Sequence, residues 1–205
     1  MSGKLIALAA GAVMAAGLAG IGSFAPVLAM EEQDLNTPAA PAQPTCASGL
    51  VFDTKAGQCV AASTVVTCDK GFTYDASKKA CVKTTALNDS DIYYQGRMLA
   101  LAGHYDSAID TLGAIRNKTS NALTMIGYAT RKKGDVEGGI AIYYQALKLD
   151  PTNLSTHEYL GEGYLAAGRV DLAENELDTL HGLCGTTCVQ YQALNNALYN
   201  GTWTN

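Results

Sequence analysis

Cysteine and histidine offer this chain its widest range of chemistry, and it carries six of the first and three of the second. Twelve residues separate Cys46 from Cys59 and Cys68 from Cys81, and three separate Cys184 from Cys188. An even, grouped set of cysteines reads as disulfides in an oxidising compartment. Neither of the first two pairs carries a Cys-x-x-Cys step or a histidine, which argues against zinc. His181, Cys184 and Cys188 fall within eight residues and are the kind of ligands that suit zinc or copper. No fourth ligand is evident, so the reading is a Cys184–Cys188 disulfide across a Gly185-Thr-Thr turn, with no metal and no cofactor. The pair lacks the Cys-x-x-Cys spacing of redox motifs. Glu158 and Glu162 stand one helical turn apart and mimic the carboxylate pair of acid–base catalysis. An ordinary exposed helix face explains them more simply. The histidines His104, His157 and His181 are scattered, and no Gly-x-Ser-x-Gly, His-Glu-x-x-His or phosphate loop occurs. The expectation is a protein that is not an enzyme and has no catalytic residue.

The elements that must hold these residues are of two kinds. Residues 46–84 form a duplicated module with an offset of 22: Gly49 answers Gly71, Phe52-Asp53 answers Tyr74-Asp75, and Val60 answers Val82. Each unit reads as a strand, a polar turn and a strand. So short a unit cannot build a core and needs a covalent staple. Duplication favours pairing within units, 46–59 and 68–81, although the spacing also accommodates crossed pairing. The module is a stapled spacer or a carbohydrate-binding unit, and only Phe52 and Tyr74 offer rings to stack on a sugar.

Residues 89–200 carry helical periodicity that repeats. Ile126-Gly127 answers Leu160-Gly161, Gly134-Asp135-Val136 answers Gly168-Arg169-Val170, and Gly96 and Gly103-His104-Tyr105 give the same signals upstream. Small residues (Gly96, Ala108, Gly127, Gly139, Ala146, Gly161, Ala173) would let helix backbones approach. Large ones (Tyr105, Ile126, Ile142, Tyr143, Leu147, Tyr164, Leu177) would fill the remaining space. Pro151 closes one helix, and Val189–Tyr199, with Ala193, Leu194, Ala197 and Leu198, reads as a capping helix that such stacks require. The stretch from Gly134 to Asn153, and Tyr159-Leu-Gly-Glu-Gly-Tyr-Leu-Ala-Ala-Gly-Arg-Val-Asp-Leu-Ala173, resemble tetratricopeptide repeats. Two departures stand out: the first unit is three residues short, and His157 replaces a bulky aromatic. The fold class expected is mainly α: a short solenoid of three repeats plus a capping helix, preceded by the stapled hairpins.

The same resemblance implies that the first helix of each repeat lines a concave groove. It places Tyr93, Arg97 and Leu101 there in the first unit, Asn121, Thr124, Tyr128 and Arg131 in the second, and Ser155, Glu158, Glu162 and Leu165 in the third. Their steps of three or four do share a helix face. Arg97 and Arg131 would meet a partner's carboxylates, with tyrosines supplying apolar area.

Composition bounds the rest. At 48% apolar and 16% charged the chain can fold. Its net charge of −5, with no cationic stripe, excludes a nucleic-acid partner. Residues 1–29 have one cation, an uncharged Ala/Gly-rich run and a small-residue cut site, and read as a secretory signal peptide. Retention as a membrane anchor is the rival reading. Cleavage would remove Lys4, leave a net charge of −6 and leave no stable membrane insertion. Residues 30–45, with three prolines, read as a linker. This order of parts is similar to that of a group of secreted alphaproteobacterial repeat proteins, which implies a periplasmic or secreted product. The function expected is adaptor work on a protein or peptide, with cell-wall carbohydrate as the alternative partner.

Overall fold

The computed structural model describes residues 46–200. The signal-peptide and linker expectations fall on residues outside that range.

Each cysteine unit folds as an antiparallel hairpin. Strand β1 (Leu50–Asp53) pairs with β2 (Gln58–Ala61), setting Val51 opposite Val60 and Phe52 opposite Cys59. Strand β3 (Phe72–Asp75) pairs with β4 (Ala80–Lys83), setting Thr73 opposite Val82 and Tyr74 opposite Cys81. The repeated aspartate builds the turn. Asp53 accepts the N–H groups of Lys55 at 2.8 Å and Ala56 at 2.9 Å, and Asp75 accepts that of Ser77 at 2.9 Å. Disulfides close within units, Cys46–Cys59 and Cys68–Cys81, and a third joins Cys184 to Cys188.

Seven helices follow: α1 (Asp89–Leu101), α2 (Tyr105–Gly113), α3 (Ser120–Lys132), α4 (Val136–Leu149), α5 (Leu154–Ala166), α6 (Val170–Cys184) and α7 (Val189–Tyr199). Side-chain caps start four of them: Asn88, Thr119, Asp135 and Asn153 each accept a first-turn backbone N–H. The turn inside each pair requires a left-handed residue, and Gly103, Gly134 and Gly168 fill the same place with φ of 86°, 107° and 72°. The three-residue deficit of the first unit is absorbed by its second helix. Helix α2 has 9 residues against 14 in α4 and 15 in α6.

Packing follows the small-against-large pattern. A Cβ on Gly127 would lie 2.7 Å from Tyr143 Cε1, so α3 and α4 approach as only glycine permits. Gly161 faces the capping helix instead of its own pair: a Cβ there would meet Leu194 of α7 at 2.5 Å. The last helix thus sits directly on α5 and buries Leu194 completely.

The hairpins close the other end. Arg97 Nη1 of α1 donates to the Phe52 carbonyl at 3.0 Å, and Lys55 Nζ reaches Asp91 at 2.8 Å from above the Tyr94 ring. The Gly71 N–H donates to Asp110 of α2 at 2.9 Å. Val51 and Thr73 are buried beneath the strands, and the Thr73 and Thr84 hydroxyls hydrogen-bond at 2.9 Å. No helix among the described residues is long and apolar enough to cross a membrane.

Candidate functional site

Helices α1, α3, α5 and α7 touch in series, whereas α2, α4 and α6 make far less contact with one another. The stack therefore curves with the odd-numbered helices on its inner face, as the repeat logic requires.

From α2 through α3 and α4 to α5 the tyrosines form a chain. Tyr128 of α3 lies 5.1 Å from Tyr159 of α5, ring centre to ring centre, and 6.4 Å from Tyr105 of α2. Tyr143 stands 6.5 Å from Tyr159. Such separations suit tilted and edge-on ring pairs. Burial pushes the Tyr128 hydroxyl up to about 12, with Tyr105 and Glu162 adding to the effect.

The polar centre of this face differs from the expectation. Arg131 is 1% exposed, so it is a core residue and offers no free cation to a partner. Its Nη2 donates to Glu162 of the next repeat at 2.6 Å, and its Nε points at the Tyr143 hydroxyl, 3.5 Å away. Nη1 is buried with no acceptor. Glu158 and Glu162 are half-buried, which corrects the reading of an exposed helix face. Burial first, and then the Glu162 carboxylate, raise Glu158 well above the usual carboxylate range, against the opposing pull of Arg131. Glu162 is raised by burial too, although Arg131 holds it down.

The remaining predicted groove residues divide. Thr124 is buried and hydrogen-bonds the Thr156 hydroxyl at 2.6 Å, tying α3 to α5. Asn121 is exposed and accepts from Asn153 at 2.7 Å. Tyr93 and Leu101 are half-buried against the first core cluster, Leu165 is half-buried between the second and third, and Ser155 is half-buried. Arg97 is committed to the first hairpin. The centre of the α3–α5 face therefore consists of Tyr128, Glu158, Tyr159 and Glu162, with Arg131 beneath.

Tyr159 was not among the residues expected in the groove. In the 34-residue register Tyr128 answers Glu162, so a tyrosine 31 residues on reads as unrelated. His157 is buried as well: Nδ1 meets Glu176 at 2.6 Å and Nε2 meets the Pro151 carbonyl at 2.9 Å. Burial alone would depress this imidazole, but those two bonds outweigh it and raise it.

Cys184 and Cys188 are bonded to each other, and His181 is exposed beside Tyr191 at 6.0 Å between rings. Among the described residues no three His, Cys, Asp or Glu side chains converge on one point. Away from the groove, a cleft of about 350 Å³ separates the second hairpin from the first repeat; Phe72, Tyr74, Leu99, Ile109 and Asp110 line it. Phe52 is half-buried beside Arg97, and Tyr74 is half-buried in this cleft.

By its fold the chain is a short, mainly helical stack of antiparallel helix pairs preceded by two disulfide-closed hairpins. No family model matches it, and no curated protein matches it. Among solved structures it is similar to the crystal structure of MamA, at 19% identity and TM-score 0.47, over 56% of this chain and 68% of that one. It is also similar to PcrH in complex with the chaperone binding region of PopB, at 18% identity and TM-score 0.46, over 54% and 90%.

Proposed function

We propose that this protein is a non-enzymatic interaction module of the bacterial envelope, and that the inner face of its repeats binds an extended segment of another protein. The observation that carries the reading is the groove centre. Half-buried tyrosines and carboxyls from α3 and α5 lie side by side there, in the mixture of aromatic area and polar handles that interface centres favour. Three disulfides suit an oxidising, extracytoplasmic setting.

The test is site-specific photocrosslinking in intact cells. Probes at Asn121 and Ser155 on the inner face are expected to capture one shared protein, identified by mass spectrometry. A probe at Tyr144, exposed on α4, is expected to capture none of it. Capture from Tyr144 alone would overturn the reading.

A second reading, carbohydrate binding through the hairpins, rests on the cleft beside Tyr74. Retention of the whole chain on peptidoglycan, lost in Tyr74→Ala, would favour it.

A further inference from the structure

Helix α5 presents two carboxyls, Glu158 and Glu162, one turn apart and both half-buried. Among the described residues one ion pair serves them. Arg131 gives its Nη2 to Glu162 at 2.6 Å, and Lys132 adds its charge near Glu162. Glu158 makes no ion pair or hydrogen bond among the described residues, so one carboxyl is left over. Desolvating an unpaired carboxyl is costly, and a fold that keeps one is short of a counter-charge.

Two further observations point outward. Tyr128 and Tyr159 stand 5.1 Å apart, and the Glu158 carboxyl lies within electrostatic reach of both hydroxyls. A carboxylate beside tyrosine faces is a receptor for an ammonium or guanidinium group. Independently, the Arg131 side chain is buried in the same cluster, and its Nη1–H has no acceptor. Arg131 is thus committed beneath Glu162, and the surplus carboxyl is the complement of one basic side chain in an extended peptide.

We infer that the centre of the inner face is a subsite for a lysine or arginine side chain, held by Glu158 beside the ring pair of Tyr128 and Tyr159. This rests on the groove reading above and gives the partner's chemistry: a basic residue in an extended segment. The chain's net charge of −5 favours the approach of such a partner. The titratable groups facing Glu158 are Arg131 of α3, Glu162 of its own helix, and the hydroxyls of Tyr128 and Tyr159; Lys132 stands beyond Glu162. Of these, Glu158 is the one left uncompensated. Binding a cation favours its charged form, so affinity for a basic segment rises with pH across the carboxylate range.

The probe is a library of random twelve-residue peptides displayed on phage and selected on the protein expressed from its full sequence. Photoprobes at Asn121 and Ser155 then report which selected peptides occupy the inner face. Peptides in the groove are expected to share one lysine or arginine. Replacing it with norleucine should weaken binding to the wild type at least tenfold, and to Glu158→Gln less than twofold. The wild type should bind the basic peptide more tightly at pH 8 than at pH 5, with no such change for the norleucine peptide. This comparison decides the matter even if Glu158→Gln fails to fold. Groove-bound peptides with no shared basic residue, or with no pH difference, would overturn the subsite and leave the groove reading standing. If no selected peptide crosslinks from the inner face, both are lost.

Discussion

Arg131 sits where a three-and-four step along α3 marks a solvated groove residue, yet it is among the largest fully buried side chains of the fold. The reason lies outside its own helix. Its partner Glu162 is 31 residues away on the next repeat, and Gly139 of α4 makes room for the base of its side chain, a Cβ there falling 2.7 Å from the Arg131 Cβ. A local face pattern cannot register a neighbour contributed by the following unit, and Thr124, tied to Thr156, was misjudged for the same reason. Stability should therefore respond strongly at this residue. Arg131→Met leaves Glu162 buried without its cation, and breaking a buried pair costs about 3–5 kcal/mol. The sign with pH follows. Glu162 would then have a folded pKa further above its unfolded value, so the folded state binds the proton better and stability returns as pH falls. Urea unfolding at pH 7.5 and pH 5 is expected to show the larger loss at pH 7.5. Arg131→Met with Glu162→Met should recover most of it, because two packed apolar side chains replace a pair that must be desolvated.

At the level of elements the sequence was far more informative, because helices, hairpins and caps are set by neighbours in the chain. The 22-residue duplication is realised as two hairpins with identical register, and the repeated Asp as two identical turns. Glycine placed opposite a large side chain marks the helix crossings, as Gly127 against Tyr143 shows. Two glycines make a matched test. Gly127→Ala forces a methyl into the Tyr143 ring and is expected to cost about 1–3 kcal/mol. Gly113→Ala in α2 points into open space. It should be neutral, or stabilise by up to about 1 kcal/mol through helix propensity. Equal effects in denaturant melts would show that the close approach of α3 and α4 does not govern packing. What Gly161 meets was not legible, because its partner Leu194 comes from the capping helix and not from its own repeat.

For the whole molecule, the order of parts was readable and their docking was not. Nothing in residues 46–84 announces that Arg97, Asp91 and Asp110 will hold the hairpins against the first repeat, because those contacts join segments 36 to 45 residues apart. Docked this way, the second hairpin should protect α1 and α2 and matter little further along, since repeat stacks couple mainly between neighbours. Replacing Cys68 and Cys81 with serine is expected to remove about 2–3 kcal/mol on the chain-entropy estimate. Hydrogen exchange should accelerate in α1 and α2 and stay nearly unchanged in α5 to α7. Uniform acceleration would mean that the stack unfolds as one unit. With hairpins seated on one end and Leu194 plugging the other, no repeat can be added without displacing a cap, so the inner surface has a fixed length. Four neighbouring helices at about 8–10 Å between axes span roughly 34–40 Å, counting their own width. At about 3.3 Å per residue that is some eleven residues of extended chain. On the proposed function the molecule is in this sense a ruler: it would select how much of a partner it reads as well as which side chains it meets.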